Sequence, residues 1–155
     1  MIIYLSNRAV SVGSDRRIQI YEGKTGECED VIEHGEGHTG SIYSCAFSPG
    51  SDKLATCSAD KSVKIWDMES KDLEVSICPS EEPNLGDMQM GVIWTREEGL
   101  FSVSLNGDLN QIVEGGITNV IQGHQVSITS MAYNGRDGNF YTGFSFVIFL
   151  ILIYS

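Results

Sequence analysis

Gly37 to Asp67 reads G-H-T-G-S-I-Y-S-C-A-F-S-P-G-S-D-K-L-A-T-C-S-A-D-K-S-V-K-I-W-D, and this stretch decides the fold. Ser41 to Phe47 carries β-branched and aromatic residues and predicts a strand. Ser48-Pro49-Gly50-Ser51-Asp52 supplies a turn, because proline presets φ and glycine tolerates conformations closed to other residues. Lys53 to Ser58 predicts a second strand and Ala59-Asp60-Lys61 a tight turn. Ser62 to Trp66 predicts a third strand, with Val63 and Ile65 alternating against Ser62 and Lys64. An outer strand and a loop are expected within Ser70 to Asp87. Short antiparallel connections of this kind build an all-β meander.

The pattern recurs. Gly13-Ser-Asp-Arg-Arg-Ile-Gln-Ile-Tyr-Glu22 matches residues 58–67 position for position, with Asp15 and Asp60 offset by 45. Residues 104–113, Ser-Leu-Asn-Gly-Asp-Leu-Asn-Gln-Ile-Val, match more weakly, with Asn106 and Asp60 offset by 46. A second Gly-His stands at 123–124. A period of about 40–45 residues, opening on Gly-His and closing on Trp-Asp, resembles the WD repeat, whose unit is a four-stranded propeller blade. The expected fold is therefore an all-β WD-repeat β-propeller fragment of about three blades of four-stranded antiparallel sheets. One partial blade precedes Gly37, a strong blade runs from 37 to about 78, and a degenerate one from about Met88 to Ile121. A further blade starts at Gly123, and the ring is not closed.

Composition narrows the function classes. The chain has 155 residues and a net charge of −11, with 21 acidic and 10 basic side chains. That balance disfavours nucleic acid, whose binding rests on lysine and arginine against phosphate, and it disfavours an anionic membrane surface. Cys28, Cys45, Cys57 and Cys78 form no CxxC pair, and no N-x-S/T site or basic leader is present, which points to a reducing, cytoplasmic setting. Phe144 to Ser155 is almost wholly apolar but shorter than the roughly 20 residues of a membrane helix. The domain reading is an atypical N-terminal segment at 1–9, a partial propeller at 10–143, and an apolar tail at 144–155 that reads as an aberrant end.

Several residue sets invite chemistry. His38, Ser58, Asp60 and Trp66 sit where WD repeats place a buried hydrogen-bonded tetrad. The set resembles a Ser-His-Asp triad on paper, but a nucleophile needs a pocket and oxyanion donors, so the tetrad reads as structural. Gly35-Glu-Gly-His-Thr-Gly40 is a literal G-x-G-x-x-G, yet a dinucleotide site needs it between a strand and a helix, and here it precedes a strand. His34, Glu36 and His38 lack a fixed geometry and a fourth ligand for a metal. No catalytic residue, metal or cofactor is therefore expected. The loop Glu22 to Glu36 holds six carboxylates against Lys24 alone and is the strongest candidate for partner binding, through Glu29, Asp30 and Glu33. Arg16 and Arg17 add a basic spot.

The neighbouring blades sharpen the resemblance. Gly13 to Glu27, with its I-Q-I-Y-E-G-K-T-G-E, is similar to a segment of the actin-interacting protein 1 family, the WD-repeat cofactors of cofilin. Ser58 to Asp67 matches the next blade of that family. The blade lacking Gly-His and Trp-Asp is shared too, through Leu85-Gly86 to Trp94, Ser102-Val-Ser-Leu-Asn-Gly-Asp-Leu-Asn110, and Val120-Ile-Gln-Gly-His124 to Ile128-Thr129. The resemblance implies the later blades of the first of two propellers. It also implies a non-enzymatic protein of the actin cytoskeleton that binds actin filaments decorated by cofilin and promotes their disassembly. Met1 to Ala9 and Phe144 to Ser155 depart from the family pattern. The competing reading is another WD scaffold, such as a substrate receptor in a ubiquitin-ligase or signalling complex.

Overall fold

The computed structural model describes residues 1–5, 8–32, 37–96, 99–122, 130–134, 136, 139–144 and 147–151. The first sheet holds β1 (Ile2–Leu5), β2 (Arg8–Val12), β3 (Ile18–Glu22) and β4 (Cys28–Ile32). The second holds β5 (Ile42–Phe47), β6 (Lys53–Ser58), β7 (Val63–Asp67) and β8 (Leu73–Ile77). The third holds β9 (Gln89–Trp94), β10 (Leu100–Ser104), β11 (Asp108–Val113) and β12 (Gly116–Gln122), and the fourth β13 (Ser130–Asn134), β14 (Asn139–Phe144) and β15 (Val147–Ile151). In every sheet spatial order follows chain order, and all pairings are antiparallel. The first strands adjoin one another from sheet to sheet: β5 touches β1 and β9, and β9 touches β13. These are consecutive blades of a partial propeller.

Residues 2–5 pair with β2, Ile2 opposite Ser11, and Val147–Ile151 pair with β14. The second Gly-His, at 123–124, lies outside the described residues. The acidic stretch expected as a loop is instead mostly hairpin. Glu22 ends β3, a turn follows, and β4 returns over Cys28–Ile32. The Glu22 side chain accepts from the Lys24 and Thr25 amides at 2.8 and 2.5 Å, which fixes that turn.

Period-2 alternation sends each blade's apolar residues to both neighbours. From β6 and β7, Leu54 and Trp66 pack with Val10, Val12, Ile18 and Ile20 of the first sheet. The intervening Ala55, Cys57, Val63 and Ile65 pack with Val92, Leu100 and Ile112 of the third. Cys45 and Cys57 are buried free thiols in these cores, and burial pushes the Cys45 thiol up to about 12.

The tight turn between the second and third strands has one construction in three blades. Asp15, Asp60 and Asn106 each accept, through the side chain, the amide two residues on: Arg17 at 3.4 Å, Ser62 at 3.0 Å and Asp108 at 3.1 Å. The residue between is left-handed, with φ of 67° at Arg16, 73° at Lys61 and 96° at Gly107. Aspartate and asparagine favour such turns because their short side chains bond the backbone locally.

Candidate functional site

The second blade carries a buried polar chain. The indole of Trp66 donates to Thr56 Oγ1 at 2.9 Å. His38 Nε2 lies 2.8 Å from the same oxygen, and His38 Nδ1 lies 2.8 Å from Asp60 Oδ2. An ionised carboxylate only accepts, so Nδ1 carries a proton and donates it to Asp60. Asp60 also accepts from the Thr39 amide at 2.9 Å and the Ser62 hydroxyl at 2.6 Å. Burial pushes the Asp60 carboxyl up, but the hydrogen bonds from His38, Ser62 and Thr39 outweigh it and hold the group well below the usual carboxylate range.

The hydroxyl of this chain is Thr56, not Ser58. Trp66 stands opposite Leu54, which makes Thr56 its diagonal neighbour on the same face. Ser58 lies two residues further along, about 7 Å beyond Thr56, out of reach of the indole. Its Oγ instead accepts the Asp60 amide at 3.1 Å, bracing the turn. Thr56 is fully buried, so no substrate carbonyl can reach its oxygen, and the set acts as a tie between the Gly-His segment and the turn. Gly40 belongs to that tie: a Cβ there would stand 2.7 Å from the Asp60 nitrogen. The G-x-G-x-x-G stretch leads into β5 and not into a helix, and its Gly35 and Glu36, with His34, lie outside the described residues.

The same positions are filled differently next door. In the first blade Ser11 and Tyr21 take the places of Thr56 and Trp66, and Ser11 Oγ, Tyr21 Oη and Gln19 Oε1 are hydrogen-bonded. In the third blade Ser102 and Ile112 take them. Ser102 Oγ is buried with no partner among the described residues, while Gln89 and Asn110 bond Ser104 at 2.9 and 3.0 Å.

Of the candidate partner-binding residues, Glu29 and Asp30 are exposed on β4, and Glu33 lies outside the described residues. Glu29 is the extra residue of a β-bulge, since Ile20 pairs with Asp30 and Tyr21 with Cys28. A bulge re-aims a side chain, and Glu29 Oε2 lies 3.7 Å from Arg8 Nε. The arrangement repeats at offset 45: Glu74 bulges from β8 and meets Lys53 at 2.6 Å. The repeat offset itself pairs Arg8 with Lys53 and Glu29 with Glu74, so the correspondence is visible in the sequence. Lys71, partly buried, feels the charges of Arg8, Asp30 and Glu29 as well. The acidic strip is thus edged by two cations from outside the 22–36 segment. Arg16 and Arg17 occupy the β2–β3 turn, at the end where Ile18 pairs with Ile32. They stand away from the Glu29 bulge and do not form one cluster with it.

Comparison with known proteins agrees with this architecture. The family described as WD domain, G-beta repeat matches residues 26–67. That unit straddles two blades, taking β4 from the first and β5 to β7 from the second. WD repeat-containing protein 1 from Mus musculus is 35% identical over 138 residues, covering 87% of this chain and 22% of the relative. The Gallus gallus protein of that name is 33% identical over 138 residues, with the same coverage. Actin-interacting protein 1 from Drosophila melanogaster is 31% identical over 137 residues, covering 86% of this chain and 22% of the relative. The chain spans about a fifth of the length of these relatives.

Proposed function

Since the chain is similar over 86–87% of its length to proteins named WD repeat-containing protein 1 and actin-interacting protein 1, we propose that it is an actin-binding, non-enzymatic stretch of propeller. Its role is to promote disassembly of cofilin-decorated actin filaments at the cytoplasmic cytoskeleton. The observation that carries the reading is the likeness to the relative named actin-interacting protein 1, which extends over 86% of the chain. Two features support it. The tetrad-like set is sealed and serves architecture, which leaves the exposed edges for partners. The Glu29 bulge turns a carboxylate outward beside exposed Asp30 on a rigid sheet.

We assign the filament contact to Glu29, Asp30 and Glu33, with Arg16 and Arg17 as a separate basic point. Filament pelleting with and without cofilin tests this. The triple variant Glu29→Lys, Asp30→Lys, Glu33→Lys should lower the cofilin-dependent pelleted fraction several-fold. Glu74→Lys breaks the equivalent ion pair one blade on and controls for it; that variant should pellet like the parent. Equal pelleting of the triple variant and the parent would remove these residues from the contact. Pelleting that never depends on actin would remove the function.

A further inference from the structure

A cavity of about 380 Å³ opens between the second and third sheets. Its origin is a set of replacements at repeat-equivalent positions. Between the first and second blades the same space is closed by Trp66 and Met68, both buried. In the third blade Ile112 stands where Trp66 stands, as the pairings Leu100–Ile112 and Leu54–Trp66 show. The β7–β8 turn, which tucks Met68 inward, is replaced by a two-residue turn, Glu114-Gly115, with φ of 53° and 79°. Such a turn is the tightest hairpin connection, and its Glu114 and Gly115 bring no apolar side chain to the place that Met68 fills one blade earlier. Gly99 stands at the position of Lys53 and adds to the loss.

The hollow has apolar walls, chiefly Val75, Trp94, Ile112 and Val113. Its charges lie at the lining's polar members. Lys53 and Glu74 neutralise each other at 2.6 Å. Glu114 is exposed and has no partner among the described residues. Among the described lining residues one negative charge is therefore uncompensated, in a hollow that also holds an indole, which attracts cations over its face. A volume of about 380 Å³ lies at the low end of small-molecule pockets and has room for one large side chain.

We propose that this hollow is a docking site for a partner polypeptide that inserts a large apolar side chain and sets an adjacent lysine or arginine against Glu114 and the Trp94 ring. Both walls belong to adjacent sheets of this chain, so the site is separate from the β4 edge assigned to actin.

The test uses the full chain and three capped peptides, Gly-Arg-Leu-Arg-Gly, Gly-Arg-Ser-Arg-Gly and Gly-Glu-Leu-Glu-Gly, followed by NMR of the two indole N–H groups. The first peptide should shift the Trp94 signal saturably while the buried Trp66 signal stays put. The other two should bind at least about tenfold more weakly. Ile112→Trp, which narrows the hollow as Trp66 does its counterpart, should weaken the first peptide by about tenfold or more. Glu114→Lys, a surface change that leaves the core intact, should abolish the preference for arginine over glutamate and so decides the matter if Ile112→Trp disturbs folding. An unmoved Trp94 signal, equal effects of all three peptides, or full affinity in Glu114→Lys would each overturn the proposal.

Discussion

Thr56 takes a hydrogen bond from the Trp66 indole and links it to His38. Replacing it by valine keeps the volume and strands both partners in a dry core, where an unmade bond costs about 1–3 kcal/mol. Thr56→Val should therefore lower unfolding stability by about 2–3 kcal/mol. Ser58→Ala loses one bond to a half-buried amide and should cost about 1 kcal/mol. Ser102→Ala, at the third blade's equivalent position, removes a hydroxyl unpartnered among the described residues and should be neutral or stabilising. Urea denaturation ranks the three, and a Ser102→Ala cost equal to that of Thr56→Val would refute the scheme. The Thr56–Ser58 choice was not legible in sequence because residues two apart share a strand face, and only the register opposite Trp66 separates them. Asp60 adds a pH signature. Its folded pKa is depressed, so its contribution is complete above the ordinary carboxylate value near 4 and is lost as pH falls below it. The stability gap between the parent and Asp60→Asn should shrink as pH drops below about 4; a gap constant from pH 7 to 3 would contradict this.

Among elements, the tight turns test the repeat directly. Arg16, Lys61 and Gly107 share one left-handed position, and two of the three are side chains that pay a steric cost there. Gly107→Ala should destabilise by about 1 kcal/mol, and Lys61→Gly should gain a few tenths, as read from thermal or urea midpoints. Loss of stability in Lys61→Gly larger than in Gly107→Ala would show that the turns are not equivalent. These turns, and the bounds of β6 and β7, could be read from the sequence because aspartate, glycine and alternating valine and isoleucine act locally. The Glu22–Ile32 segment could not, because its carboxylates suggest a solvated loop. What makes it a hairpin is the pairing of β4 with β3 and the Glu22 side chain closing the turn, and the pairing is a non-local cause. The Arg8–Glu29 contact was hidden for the same reason: its partners come from the two flanking strands of one sheet.

Across the molecule, the interfaces between blades differ in quality. Trp66 and Met68 seal the first against the second, while an open hollow of about 380 Å³ lies between the second and third where those side chains are replaced. Side chains that line an open hollow have fewer packing partners than those in a sealed core, which weakens the interface. The third blade also ends in β12, whose side chains are exposed or half-buried along its length, whereas β7 is paired on both sides and buried along most of its length. Local opening follows such differences in buried contact. Amides of β6 and β7 should therefore exchange with solvent deuterium slowest in the chain. Those β12 amides bonded to β11 should exchange at least about tenfold faster, a gap of about 1.4 kcal/mol in opening free energy. Ile112→Trp should slow exchange in β10 and β11 and leave β2 and β3 unchanged, because it adds packing only across the second interface. Protection spread evenly over the first three blades would mean that the hollow costs the assembly nothing, and that these blades open as one unit and not from the third.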